Sequence, residues 1–200
     1  MKKSIVTVSK FMTVVVFTLV CVIGYAQQPQ GLQVNQVAPN FSGKDQNGKS
    51  VSLKSALKKG PVVLVFYRGE WCPYCNKYLK DLEQSLAQVT AKGGTIIAIT
   101  PETPESTKKT IQKTQATFSV LNDKGLKIMK SYDVAFKLDD KTLEQFKKYN
   151  IDLNKNNGEN GANLPVPAVY VIGKSGKIAY RFFDPDYTKR APVTEIVGAL

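Results

Sequence analysis

Apolar positions change period along the chain, and the changes mark its elements. Residues 62–67 form an unbroken run of six apolar or aromatic residues, the pattern of a strand buried on both faces of a central sheet. From about residue 72 to 91 the period becomes helical. Tyr78, Leu79, Leu82, Leu86 and Val89 make one stripe, Lys77, Lys80, Glu83, Gln84 and Gln88 fall mostly off it, and Gly93-Gly94 ends the helix. Residues 95–100 read as a second buried strand, and a polar helix follows Pro104, whose missing N–H costs nothing at a helix start. Further on, the pattern predicts a short strand at 118–121, short helices at 125–132 and 142–149, and a surface loop at the Asn- and Gly-rich 154–163. Residues 168–172 and 178–183 are strands joined through Gly173-Lys174-Ser175-Gly176, and Val193, Ile196, Val197 and Leu200 make one face of a closing helix. Near the front, residues 41–45 and 50–53 flank Gln46-Asn47-Gly48-Lys49 as a hairpin, since Asn-Gly tolerates positive φ. A helical turn at 54–59 stops at Gly60.

A parallel strand–helix–strand unit first and an antiparallel pair last imply an α/β domain with a mixed central sheet and helices on both faces. Two hundred residues suit one such domain plus a tail.

The tail is the first 26 residues. Lys2, Lys3 and Lys10 precede an apolar run over 11–23, and Gly24-Tyr25-Ala26 sets small residues three and one before a cut. This is the layout of a cleaved signal peptide, with residues 27–36 as a loose linker and 37–200 as the domain. The run is short for a membrane span, so no stable span is expected after cleavage, and the predicted location is exported and periplasmic. Val20 ahead of Cys21 argues against a lipid anchor there. Loss of three lysines lowers the formal net charge from +12 to +9 and leaves two cysteines. The remaining lysines are scattered beside acids, as in Lys80-Asp81, which favours a solvated basic surface over a nucleic-acid site.

The chain has no histidine, which removes Ser-His and Cys-His hydrolytic arrangements and His-based metal sites. Two cysteines cannot build a Cys₄ zinc site. No metal and no organic cofactor is implied.

Trp71-Cys72-Pro73-Tyr74-Cys75 lies where a buried strand gives way to a long helix. A thiolate is the reactive form of cysteine, and unpaired N–H groups at a helix start lower a thiol's pKa. Cys72 stands there, and Cys75 is one turn on, close enough to close a reversible disulfide. A purely structural bridge over so short a loop would constrain the unfolded chain little. Catalytic candidates are therefore Cys72, as first nucleophile, and Cys75. Arg68 is a candidate to stabilise a thiolate or peroxide oxygen, and Trp71 to shape an apolar lip where substrate docks. Glu70 reads as a solvated loop carboxylate.

The stretch from Phe66 to Cys75 resembles a thioredoxin-fold active site, and more closely the peroxiredoxin-like branch of the alkyl hydroperoxide reductase/thiol-specific antioxidant (AhpC/TSA) family. Val37-Ala38-Pro39-Asn40-Phe41, the run Leu164 to Ile172, and Asp186-Tyr187-Thr188-Lys189-Arg190 are similar to that branch too. The resemblance implies a thioredoxin fold with an N-terminal hairpin and an insertion near 138–164. It also implies a cis bond before Pro167, packed against the cysteines as part of the substrate site. Aligned without gaps on the family's Pro-x-x-x-Thr-x-x-Cys pattern, Arg68 replaces the proline, Cys72 the threonine, and Cys75 holds the peroxidatic place. Arg68 or Arg190 is then the candidate replacement for the family's later arginine. The implied activity is reduction of hydroperoxides, with a thioredoxin-like or other dithiol as reductant. Exchange with protein disulfides is the alternative enzyme, and a non-catalytic redox-set binding module the third reading.

Overall fold

The computed structural model describes residues 28–200, so the expected signal segment lies outside the described residues. Strands β1 (Ser42–Lys44) and β2 (Ser50–Ser52) pair as the expected hairpin, whose turn is tied by the Asp45 carboxylate accepting from the N–H groups of Asn47 and Lys49, both at 3.0 Å. Helix α1 (Leu53–Leu57) starts at Ser52, whose hydroxyl accepts from the Ser55 N–H and so supplies one of the partners a helix start lacks. Strand β3 (Val62–Phe66) is buried throughout.

The helix expected over 72–91 is two, α2 (Pro73–Gln84) and α3 (Leu86–Ala91). They part at Ser85 (φ −99°, ψ 4°), whose N–H is shared between the carbonyls of Asp81 and Leu82. Strand β4 (Thr95–Thr100), helix α4 (Pro104–Thr114, capped by Thr103) and strand β5 (Ser119–Asn122) follow as read from the sequence. A 3₁₀ turn at Lys124–Leu126 leads into helix α5 (Lys127–Ser131). Next come β6 (Ala135–Lys137), α6 (Asp140–Lys148), α7 (Leu153–Asn157) and β7 (Asn163–Pro165). Strands β8 (Ala168–Ile172) and β9 (Ile178–Phe183) match their expected bounds, and α8 (Val193–Gly198) closes the chain.

The central sheet has order β5-β4-β3-β8-β9, with β3, β4 and β5 parallel and β8 and β9 antiparallel to their neighbours. Side chains alternate between faces along β3. Val62, Leu64 and Phe66 enter a core with Phe41, Leu53, Met129, Tyr132 and Tyr170. Val63, Val65 and Tyr67 enter another with Cys75, Leu79, Leu82, Val89 and Ile196. This is the thioredoxin fold, with helices on both faces. Among the described residues no helix is long and apolar enough to cross a membrane.

Three further expectations change. The supposed loop at 154–163 is α7 and a 3₁₀ turn, because its asparagines do the work of backbone: Asn160 donates to the carbonyls of Pro101 and Asp123 and accepts from the Gly125 N–H. Among the described residues no peptide bond is cis, Val166–Pro167 included. The chain there runs extended from β7 into β8, and Val166 N–H donates to the Val134 carbonyl at 2.8 Å, so no tight turn requires a cis bond. Residues 28–36, expected to be loose, are tied down. Gln30 N–H donates to the Asp133 carboxylate, Leu32 N–H to the Tyr170 hydroxyl, and Arg181 donates to the Gln30 carbonyl. A polar composition hid these backbone ties.

Candidate active site

The site forms where β3 ends and α2 begins, above the carboxyl ends of the parallel strands, the usual ligand edge of an open α/β sheet. Cys72 is the residue before the first turn of α2 (φ −90°, ψ 110°), and Pro73 takes the position where a missing N–H is harmless. Cys75 lies in the first turn. Both are free thiols and both are almost wholly covered.

Three residues of spacing give the two sulfurs opposite environments. The Cys72 thiol is lowered to about 6: first by the hydrogen bond that the Cys75 thiol donates to it, then by the Cys75 N–H and by the charges of Arg68 and Arg190, all against the opposing effect of burial. Cys75 is pushed well up, first by burial and then by its role as donor to Cys72. The Cys75 N–H of the first turn, which donates to the Cys72 carbonyl at 3.1 Å, adds to the lowering, but the leading cause is the neighbouring Cys75 thiol rather than the helix start.

Two arginines flank the pair. Arg68, 5% exposed, has its guanidinium carbon 4.3 Å from the Tyr187 ring centre, 5.0 Å from Trp71 and 5.7 Å from Phe146. Stacking on ring faces offsets part of what burying this charge costs. Arg190 donates from Nη2 to the Cys75 sulfur at 3.3 Å and from Nη1 to the carbonyls of Tyr187 and Lys189. The turn that aims it is local. The Asp186 carboxylate accepts from the Thr188 N–H and hydroxyl, so Tyr187 and Arg190 both face the cysteines.

In front of Cys72 is a cavity of about 350 Å³ lined by Arg68, Trp71, Tyr74, Phe146, Tyr149 and Tyr187, among others. Helix α6 forms its far wall, where Trp71 meets Phe146 edge to face at 5.2 Å; on another side Tyr74 of α2 meets Tyr187 at 5.9 Å. The structure thus brings Cys72, Cys75, Arg68 and Trp71 together. Pro167 does not line this cavity. It is buried one residue before the Ala168–Phe66 pair, and its carbonyl accepts from the Asp184 N–H.

Sequence reasoning missed Glu102. It follows β4 in Thr100-Pro101-Glu102-Thr103-Pro104, is 2% exposed, and burial pushes its carboxyl up to about 7. An acid directly after a buried strand, at the ligand edge of the sheet, was the available signal. Glu70 is not a solvated carboxylate: Lys113 pairs with it. The wall residues Phe146 and Tyr149 could not be assigned from sequence, because nothing local says where α6 lands.

Fold and site together define a thioredoxin-fold protein that presents a CxxC pair at a helix start, with one activated and one protected thiol. The chain belongs to the AhpC/TSA family, whose model matches residues 34–181. It is 38% identical to peroxiredoxin Q, chloroplastic, of Triticum aestivum over 153 residues, 75% of this chain and 60% of that protein's length. It is 27% identical to the thiol-disulfide oxidoreductase ResA of Bacillus cereus over 156 residues, 78% of this chain and 72% of that protein. The solved structure of peroxidoxin BcpB from Mycobacterium tuberculosis shares the fold at a TM-score of 0.64 and 17% identity, over 84% of this chain and 96% of that one.

Proposed function

We propose that this protein is a thiol peroxidase in which Cys72 reduces a hydroperoxide and Cys75 resolves the product. The observation that carries the reading is the split pair: a thiol near 6 facing an aromatic-lined cavity beside Arg68, with a protonated thiol behind it. The Cys72 thiolate attacks the terminal peroxide oxygen and the O–O bond breaks. Cys72 becomes a sulfenic acid, and the departing alkoxide takes a proton to leave as an alcohol. Arg68 and Arg190 stabilise the negative charge that moves from sulfur to oxygen. The Cys75 thiol then attacks the sulfenic sulfur, a disulfide forms and water leaves. An external dithiol of the thioredoxin type reduces Cys72–Cys75 and is itself oxidised to its disulfide. Of the sequence candidates, Arg68 and Trp71 serve the substrate side, while Pro167 is buried immediately before β8, beside β3, and outside the cavity lining.

Exchange with protein disulfides is the second reading. It is supported by the similarity to ResA and by the exposed ring edges of Tyr74, Tyr149 and Tyr187 around the cavity mouth, a surface on which a peptide would lie. Export through the 1–26 segment is proposed on its charge and hydropathy pattern. N-terminal sequencing of the protein from its native compartment tests it, with Gln27 as the expected first residue.

The test of the activity is stopped-flow oxidation of the reduced, purified protein by hydrogen peroxide and by an organic hydroperoxide, read as loss of free thiol. Oxidation should far outpace that of a free thiol at the same pH. Cys72→Ser should abolish it, and Cys75→Ser should stop at a sulfenic acid that dimedone traps. Oxidation no faster than a free thiol would end the peroxidase reading and make protein disulfides the substrate.

A further inference from the structure

Five residues, Tyr67 to Trp71, connect β3 to Cys72, and their conformation decides where Arg68, Trp71 and the thiol point. Glu70 is where this loop is tied to the rest of the protein. Its N–H donates to the Glu102 carboxylate at 2.7 Å. Its carbonyl accepts from Asn76 Nδ2 at 2.7 Å and from Lys113 Nζ at 3.0 Å, and its carboxylate pairs with Lys113. The Glu102 tie is the buried one. The second oxygen of Glu102 accepts from the hydroxyls of Thr100 on β4 and Thr110 on α4, both at 3.2 Å, so the carboxyl links strand, helix and loop.

Gly69 shows how closely the loop and the acid fit. It has φ +156°, and a Cβ there would lie 2.6 Å from Trp71 Nε1 and 3.1 Å from Glu102 Oε1. Carboxyl and indole therefore meet across the same glycine, and the indole N–H is buried without a hydrogen-bond partner.

We propose that Glu102 is a positioning residue for the active-site loop, holding Glu70 by its N–H so that Trp71 and Arg68 stay aimed into the cavity before Cys72. An amide or hydroxyl at position 102 would also accept this bond, but an ionised carboxylate accepts it about twice as strongly. The groups facing Glu102 are Thr100, Thr110 and the Tyr67 hydroxyl, which burial and the neighbouring acid keep protonated, with the Glu70–Lys113 pair beyond the loop. Among these no other carboxyl is buried beside it. Burial holds the acid near neutrality, so the grip on the loop strengthens as pH rises through about 7. This role is independent of the oxidant, although its effect on rate rests on the peroxidase reading.

Trp71 is the sole tryptophan of the chain and reports on the loop directly. In a Cys72→Ser background, which removes the neighbouring thiolate, its emission should titrate with one midpoint near 7, and adding Glu102→Gln should flatten the curve. In the otherwise intact protein, Glu102→Ala should slow oxidation of Cys72 about tenfold, the worth of one such hydrogen bond, with Glu102→Gln recovering part of it. Flat emission in the Cys72→Ser protein from about pH 5 to about 9 overturns the proposal. A folded Glu102→Ala protein with unchanged alkylation and oxidation of Cys72 overturns it too. Should Glu102→Ala not fold, the emission of Cys72→Ser with and without Glu102→Gln decides alone. If the protein with both thiols proves inert to peroxides, the peroxidase reading fails while the Trp71 titration still decides the role of Glu102.

Discussion

The floor and the far wall of the active-site cavity are built to different standards. The floor, where α2 lies on β3, is continuous with a core in which Leu79, Leu82, Val65 and Val89 are essentially without solvent contact. The wall is the insertion β6-α6-α7-β7, held by a small cluster of Leu138, Leu153 and Leu164. Helix α6 has no buried residue of its own and leans on Trp71 through Phe146. Packing of the first kind holds two sulfurs in fixed relation. Packing of the second kind shapes the entrance, and it can change without disturbing the thiols beneath it. The expected consequence is that stability and thiol chemistry reside in the floor and substrate preference in the wall.

The sharpest way to break this division is Leu79→Ala. Removing a fully buried side chain from the floor should cost about 2–5 kcal/mol in urea unfolding, a large share of the stability of a domain this size. An unfolding midpoint close to the wild type would show that the floor is not what supports the site.

The next effect concerns pH. Glu102 binds its proton more tightly folded than unfolded, so the folded state holds more protons between about 4.5 and about 7. Stability is therefore lost as pH rises through that window, by about 3 kcal/mol for a shift of this size. Cys72 has the opposite sign. Its lowered pKa adds stability as pH rises from about 6 toward the ordinary thiol value of 9.0, and that stability is lost as pH falls through about 6. Urea unfolding over a pH series should show Glu102→Gln removing the first slope and Cys72→Ser the second.

Cys75→Ser sharpens the comparison within the floor. Replacing the thiol donor that is the main cause of the low Cys72 value should change the midpoint for iodoacetamide alkylation, upward if the serine hydroxyl supports the thiolate less well than the thiol did. A tenfold change in the thiolate equilibrium corresponds to about 1.4 kcal/mol. An unchanged midpoint would transfer the effect to Arg68 and Arg190.

The smallest expected change in stability is in the wall. Phe146→Ala should cost about 1 kcal/mol or less, since it removes one of three rings around Arg68. Its signature is kinetic: KM for a bulky organic hydroperoxide should rise while oxidation by hydrogen peroxide stays close to wild type. Equal losses for both oxidants would assign Phe146 to the floor.

What was legible in the sequence follows from the range of the forces involved. Strand β3 and the stripe of α2 are set by local hydrophobic periodicity, and Cys72 and Cys75 sit at the junction between them, so neighbouring residues alone determined the main elements and the place of the thiol pair at a helix start. The break at Ser85 and the helical turns at 153–160 were hidden because they depend on hydrogen bonds that the pattern of apolar residues does not record. Tertiary structure alone decided which distant groups converge: Glu102 under Glu70 across 32 positions, Arg190 on Cys75 across 115, and Phe146 against Trp71. Those contacts arise from how β4, the 186–190 turn and α6 pack around β3. Packing of separate elements leaves no period or spacing in the chain from which to read it.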